Sequence, residues 1–194
     1  MSKANLLDRR AVVSSLLANR NGAIAVGGLG ASTYDIAAAG DHDRNFYLWG
    51  AMGGAAMIGL GLALAKPNAR VVVVTGDGEM LMGMGSLGTI GVQKPNNLAI
   101  VVFDNGHYGE TGMQASHTQL GVDLLAVARG CGIDRVLDVK DETGLRELAG
   151  LLATHQGSLF ACVPITADDP PRVLPEKDGV IIKDRVRRAA EKIT

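Results

Sequence analysis

The sequence predicts an α/β fold, a doubly wound, mostly parallel sheet with helices on both faces. Three observations predict it. Val71–Val74 is a run of four valines with no polar alternation, the pattern of a strand covered on both faces. A second apolar run, Leu98–Phe103, follows once Pro95-Asn96-Asn97 has broken the chain. Segments with helical spacing alternate with these short apolar runs, the order produced when crossover helices join parallel strands.

In chain order, Leu6, Leu7, Val12, Val13, Leu16 and Leu17 recur at helical spacing among charged residues and predict an amphipathic helix. A short strand is expected at Ala23–Val26. Ser32, with Asp35 three residues on, predicts an N-cap and a helix to about Ala39, and Gly40–Asn45 reads as a polar loop. Gly50–Ala65 reads as a buried helix. Arg70–Thr75 is then a strand, Glu79–Val92 one helix, Leu98–Phe103 a strand and Asp104–Thr118 a polar loop. Leu120–Cys131 is expected to be helical, Arg135–Val139 a strand, and Asp141 caps a helix with Leu145, Leu148, Leu151 and Leu152 on one face. Ser158–Ile165 is the last strand. Residues 166–194 read as a proline-marked extended tail followed by a basic helix over Val180–Ile193. Its charges, Lys183, Arg185, Arg187, Arg188 and Lys192, fit either a solvated face or a docking surface.

Composition narrows the function. The 194 residues, 47% hydrophobic and 20% charged, fit one domain over residues 1–194. A formal net charge of −1 and only seven aromatic residues exclude the basic field and the stacking platform of a general nucleic-acid binder. The most apolar window, Gly50–Ala65, is shorter than the roughly 20 residues of a membrane span, and MSKANLLDRR has no apolar core of a signal peptide behind it. Two scattered cysteines, Cys131 and Cys162, make neither a disulfide framework nor a zinc site, so a cytoplasmic protein is expected. Glycine stands out, with 26 residues concentrated in Gly22–Gly30, Gly50–Gly61 and Gly76–Gly91. They follow no collagen period, and they predict close backbone approach. In the helices the approaching body is either the rest of the domain or another subunit.

In an open α/β sheet, ligands sit at the carboxyl ends of the strands. The residues there are Gly76-Asp77-Gly78 and Asp104-Asn105-Gly106-His107. Two glycines free a turn at the start of a helix for an anion, but Asp77 would repel a phosphate unless a divalent cation lay between them. Mg²⁺ takes about six oxygens, commonly one or two carboxylates plus substrate phosphates. Asp77, the amide oxygen of Asn105 and one main-chain carbonyl, with two diphosphate oxygens and a water, would fill that shell. Gly83-Met84-Gly85-Ser86-Leu87-Gly88 imitates a dinucleotide fingerprint, with Asp104 at nearly the right distance. It falls inside the following helix rather than in the turn after the strand, where the mechanism needs its first glycine.

A Gly-Asp-Gly turn, 25 further residues and then Asp104-Asn105 resembles the signature of thiamine-diphosphate enzymes. Trp49-Gly50-Ala51-Met52-Gly53 resembles the stretch preceding that signature in decarboxylases of the class, and Asp123–Ala128 resembles the segment after their site. The loop Tyr108–Thr118 is similar to one in sulfopyruvate and phosphonopyruvate decarboxylases and in 2-oxoacid:ferredoxin oxidoreductase β chains, with Met113 replacing a glycine. The resemblance implies the diphosphate-binding domain of such an enzyme, with thiamine diphosphate and Mg²⁺ as cofactors. Asp77 and Asn105 would then be side-chain metal ligands, and His107 would contribute its main-chain carbonyl. Gly76, Gly78 and Glu79 would meet the diphosphate through backbone groups, and Tyr108 and Gly109 would lie over the cofactor. Gly50 would receive the aminopyrimidine nitrogen at its carbonyl, and Met52 would prop the cofactor's bend. Glu110 and His117 are candidate proton carriers, although loop residues of these types are commonly just solvated.

In this family the glutamate that activates the cofactor belongs to a separate pyrimidine-binding domain. The resemblance therefore implies a β-type subunit whose active site is completed by an α subunit, in an α2β2 or larger assembly acting on a small 2-oxo acid. A carboligase or ketol lyase would use the same cofactor. An oxidoreductase β chain would need iron–sulfur clusters, against which two isolated cysteines speak. A non-catalytic nucleotide-binding module is the reading from another class.

Overall fold

The computed structural model describes residues 6–18 and 20–193, so part of the charged N-terminal stretch read for a targeting signal lies outside the described residues. Strands β1 (Ile24–Gly27), β2 (Asn45–Tyr47), β3 (Val71–Gly76) and β4 (Leu98–Asp104) lead to a two-stranded hairpin of β5 (His107–Tyr108) and β6 (Gln114–Ala115). Strands β7 (Arg135–Asp138) and β8 (Leu159–Pro164) follow. The main sheet has the order β2-β1-β3-β4-β8-β7, and every pairing in it is parallel.

The valine run occupies β3, and its side chains alternate between two cores. Val72 and Val74 pack with Ala99, Val101 and Phe103 beneath helices α1 (Arg9–Ala18), α2 (Ala31–Ala38) and α7 (Glu142–Thr154). Val71 and Val73 pack with Leu98, Ile100 and Val102 beneath α3 (Ala55–Ala65), α5 (Ser86–Gln93) and α6 (Leu124–Gly130). The short helix α4 (Asp77–Met82) leaves the end of β3, and α8 (Gly179–Glu191) closes the β2 edge through Ile182, Val186, Ala189 and Ala190. Arg185, one of the basic residues of that tail, turns inward to hold Asp41 at 2.7 and 3.1 Å. No helix among the described residues is long and apolar enough to cross a membrane.

Several local expectations are corrected. The Gly40–Asn45 loop is followed by β2, a three-residue strand. Helix α2 starts after Gly30 with no side-chain cap, because Ser32 is buried inside it and Asp35 is turned to Arg9. Helix α3 begins at Ala55 rather than Gly50, since Gly50 and Gly53 adopt φ of +73° and +91°, which a helix does not allow. It is also covered on one face only, with Met57 and Leu64 exposed. The expected helix Glu79–Val92 is two helices broken at Gly83–Gly85. The polar loop after β4 holds the β5/β6 hairpin, and α6 starts four residues late, at its Asp123 cap.

The helix glycines divide into two groups. A Cβ on Gly83 would stand 2.2 Å from the carbonyl oxygen of Gly53, on Gly59 2.3 Å from Val73, and on Gly91 too close to the Cys131 carbonyl for any side chain. These three are explained by packing within the chain. Gly61, Gly85 and Gly88 face open space.

At the opposite end of the sheet from the strand C-termini, His155 caps α7, 3% exposed, with Nδ1 on the Leu151 carbonyl at 2.8 Å and Arg70 alongside. Burial, then Arg70, pushes its pKa below the usual 6.5. The unfolded chain therefore binds this proton more readily, so stability falls as pH drops below about 6.5 toward the lowered folded value. Thermal melts at pH 7.5 and pH 5.5 should show that loss in the wild type and a smaller one in His155→Gln.

Candidate active site

The C-terminal ends of β3 and β4 open into a cavity of about 460 Å³. Gly76, Asp77, Gly78, Asn105, His107 and Tyr108 all line it, so the two sequence turns do meet. Gly76 ends β3 in ordinary extended geometry (φ −91°, ψ 162°), and a Cβ placed on it meets nothing within 4 Å. Glycine is thus not required there by the chain itself. Gly78 has another reason: its missing Cβ leaves room for the Tyr108 ring, whose atoms would lie 2.6 and 2.7 Å away. Met52 borders both, its Cε 3.5 Å from the same point.

Asp77 is 2% exposed. Its Oδ2 accepts a hydrogen bond from Ser116 Oγ (2.5 Å), and the single hydroxyl proton of Thr118 is shared between Asp104 Oδ1 at 2.8 Å and Asp77 Oδ2 at 3.2 Å. Among the described residues, no Lys or Arg pairs with Asp77. Burial pushes its carboxyl up from the usual range and Asp104 adds to this, while the hydroxyl bonds work against it. A buried carboxylate facing only neutral donors is costly unless a cation joins it. Six carboxylates line the cavity, against the single guanidinium of Arg9, which is itself committed to Asp35 at 2.7 Å. No three Asp, Glu, His or Cys side chains converge on one point among the described residues, so a hard divalent cation there would rest on Asp77, the Asn105 amide oxygen and non-carboxylate oxygens, and the open Gly76 wall fits an anionic group beside it.

Asn105 shapes the adjoining turn. Its Oδ1 accepts the His107 N–H at 2.8 Å, leaving the second lone pair of that oxygen, and His107 Nδ1 lies 2.8 Å from the Asn105 carbonyl oxygen. The His107 ring is therefore tied to the backbone. Of the two candidate proton carriers, Glu110 lines the cavity and pairs with Arg172 at 3.4 Å. His117 is exposed, sits edge-on to Tyr108 with ring centroids 6.4 Å apart, and does not line the cavity. Gly109 lines the wall, whereas Gly50 stands outside it in its positive-φ turn.

Glu79 also has a buried side chain with bonds of its own. Its side chain is 4% exposed and accepts hydrogen bonds from Leu29 N–H, Thr75 Oγ1 and Ala55 N–H. Burial pushes its carboxyl up, and these donors oppose the shift.

Sequence reasoning missed Ser116, Thr118, Arg9 and the tail residues at the cavity rim. Arg9 Nη1 donates to the Asp168 carbonyl and Arg10 to that of Pro171, while Trp49 Nε1 holds the Glu176 carbonyl. The tail is thereby laid along α1 and the cavity, and Arg172 lies over the Tyr34 ring at 5.5 Å.

Comparison with known proteins gives the chain's family and fold relatives. Residues 26–161 match the family model of the thiamine pyrophosphate enzyme, C-terminal TPP binding domain. The chain is 44% identical over 113 residues to a sulfopyruvate decarboxylase subunit beta of Methanocaldococcus jannaschii, covering 58% of this chain and 60% of that one. It is 44% identical over 148 residues to a phosphonopyruvate decarboxylase of Streptomyces viridochromogenes, covering 75% of this chain but only 36% of the relative. A solved benzoylformate decarboxylase from Polynucleobacter necessarius has the same fold, with a TM-score of 0.66, 22% identity and coverage of 85% of this chain and 34% of that one. A buried parallel sheet, a Gly-Asp-Gly strand end and a matching family model over most of the chain lead to one assignment: the chain belongs to the thiamine pyrophosphate enzymes, as a TPP-binding domain related to sulfopyruvate and phosphonopyruvate decarboxylases.

Proposed function

We propose that this chain is the β-type subunit of a thiamine-diphosphate- and Mg²⁺-dependent, non-oxidative decarboxylase of small 2-oxo acids. The proposal rests first on Asp77, a buried carboxylate with no cation partner among the described residues at the rim of a cavity lined by Gly76. Relatives named as decarboxylases, some as subunit beta, support the reaction class and the two-chain arrangement.

In this reading Asp77, Asn105 and the His107 carbonyl hold Mg²⁺, and Ser116 and Thr118 orient the Asp77 carboxylate. Gly76, Gly78 and the main chain of Glu79 receive the diphosphate, with Tyr108 and Gly109 beside it. Gly50 offers its carbonyl to the aminopyrimidine and Met52 supports the bend. Thiamine diphosphate, when bound, supplies an electron sink for the carbon–carbon bond that breaks as carbon dioxide leaves. Glu110 is the stronger candidate to move a proton, because it reaches the cavity while His117 does not.

Two parts come from a partner α subunit: the glutamate that activates the pyrimidine, and the cation that a sulfonate or phosphonate tail needs. Arg9 is the one Lys or Arg lining the cavity among the described residues, and it serves Asp35. Exposed Met82, Met84 and Met113, with Met57 and Leu64 of α3, provide apolar surface for such a partner. The test is to compare the isolated chain with its complex with the α subunit. Carbon dioxide release from sulfopyruvate or phosphonopyruvate is expected only from the complex, with thiamine diphosphate identified by mass spectrometry. Turnover by the isolated chain would overturn the shared site, and a complex without thiamine diphosphate would overturn the function.

A further inference from the structure

We infer that the Glu79 side chain is a positioning residue that ties three walls of the cofactor cavity together, a role separate from its main-chain contact with the diphosphate. The inference rests on the cofactor reading above for its effect on activity, but not for the bonds themselves. Glu79 Oε2 accepts from the Leu29 N–H at 2.9 Å and from Thr75 Oγ1 at 2.9 Å, and Oε1 accepts from the Ala55 N–H at 3.3 Å. Leu29 belongs to the β1–α2 turn, Thr75 precedes Gly76 and Asp77, and Ala55 starts α3 three residues after Met52. Leu29, Gly76 and Met52 each line the cavity. One buried carboxylate therefore sets the spacing between the turn above the sheet, the diphosphate turn and the Met52 prop.

The neighbouring backbone is shaped for it. A Cβ on Gly28 would stand 1.9 Å from Glu79 Oε2 and 2.9 Å from Thr75 Oγ1, so any side chain there would push the Glu79 carboxylate off its donors. Gly53 and Gly83 touch backbone to backbone, which brings the entrance of α3 against the end of the helix that carries Glu79. A carboxylate is the group the geometry asks for, since all three partners are able to donate and it only accepts. An amide in its place keeps one oxygen. Directed at Leu29 and Thr75, where two donors converge, that oxygen leaves the NH2 group facing the Ala55 N–H, so Glu79→Gln should release α3 selectively.

The test uses the complete complex. In hydrogen exchange without cofactor, Glu79→Gln should speed exchange over residues 53–56 and spare residues 27–30, whereas Glu79→Ala should speed both. The thiamine diphosphate concentration for half-maximal activity should rise about tenfold or more, as expected from losing a hydrogen bond to a charged acceptor. The kcat at saturating cofactor should stay within about threefold, since the bond acts through wall spacing and not on the reacting atoms. Gly28→Ala should reproduce the affinity loss, yet add little to Glu79→Ala, because the displaced side chain is then absent. Unchanged exchange in Glu79→Gln, a collapse of kcat at saturating cofactor, or simple additivity of Gly28→Ala with Glu79→Ala would each overturn the inference. If the wild-type complex binds no thiamine diphosphate, the functional reading fails, and the exchange data still decide whether Glu79 holds the two turns.

Discussion

Asp77→Asn is expected to weaken Mg²⁺-dependent binding of thiamine diphosphate by about 100-fold or more, at the upper end of what losing even an outer metal partner costs. The amide keeps the shape and one acceptor for Ser116 and Thr118, so the network is conserved while the charge that attracts the cation is removed. The same change should make the cofactor-free protein more heat-stable, because it relieves a buried charge with no partner among the described residues. Each kcal/mol of relief should appear as roughly 2–4 °C in Tm for a chain of this size. Titration calorimetry with Mg²⁺ and with a chelator, together with thermal melts, checks both halves. Unchanged affinity in Mg²⁺ would remove Asp77 from the metal shell.

Gly76→Val should separate cofactor binding from folding. The backbone at Gly76 is extended, as valine prefers, and no atom beyond its two chain neighbours lies within 4 Å of the added Cβ. Stability should therefore stay within about 1 kcal/mol of wild type, as for substitutions that neither strain the chain nor open a cavity. The new side chain would project into the cavity at the diphosphate turn, and cofactor affinity should fall below detection in the same calorimetric titration. A valine variant that binds normally would show that Gly76 does not face the cofactor.

These two residues also show how far the sequence could be read. Gly76-Asp77-Gly78 and Asp104-Asn105 were legible because strand ends carry ligands in this architecture and because an aspartate beside an anion site requires a cation. The reason for Gly78 was not legible, since it lies in the ring of Tyr108, thirty residues away in the chain. Ser116 and Thr118 reach Asp77 from the far side of the hairpin, and Arg9 reaches Asp35 across two helices; neither pairing leaves a local pattern. In the fold, the valines of β3 and the apolar run of β4 were legible because burial on both faces writes an unbroken apolar run. Strand β2 was not. Its buried Asn45 is satisfied by Arg20 at 2.6 Å and bonds Tyr47, so a polar residue sits inside for reasons supplied by other segments. Ser32 followed the rule for a helix start, but the positive φ of Gly30 placed the start two residues earlier.

The strand order has a consequence for how the chain assembles during synthesis. Strand β4 pairs with β3 at once on one side, but its other neighbour is β8, which emerges only after α6, β7 and α7. Until then β4 presents an unpaired apolar edge, and β7 has no strand to join because its only neighbour is also β8. A third of the sheet, β8 and β7, therefore waits for one late segment, a long-range closure that slows folding and leaves the nascent chain open to edge-to-edge association. A ribosome-bound chain ending before Leu159 should hold β1, β2 and β3 in register while remaining a client for chaperones at β4.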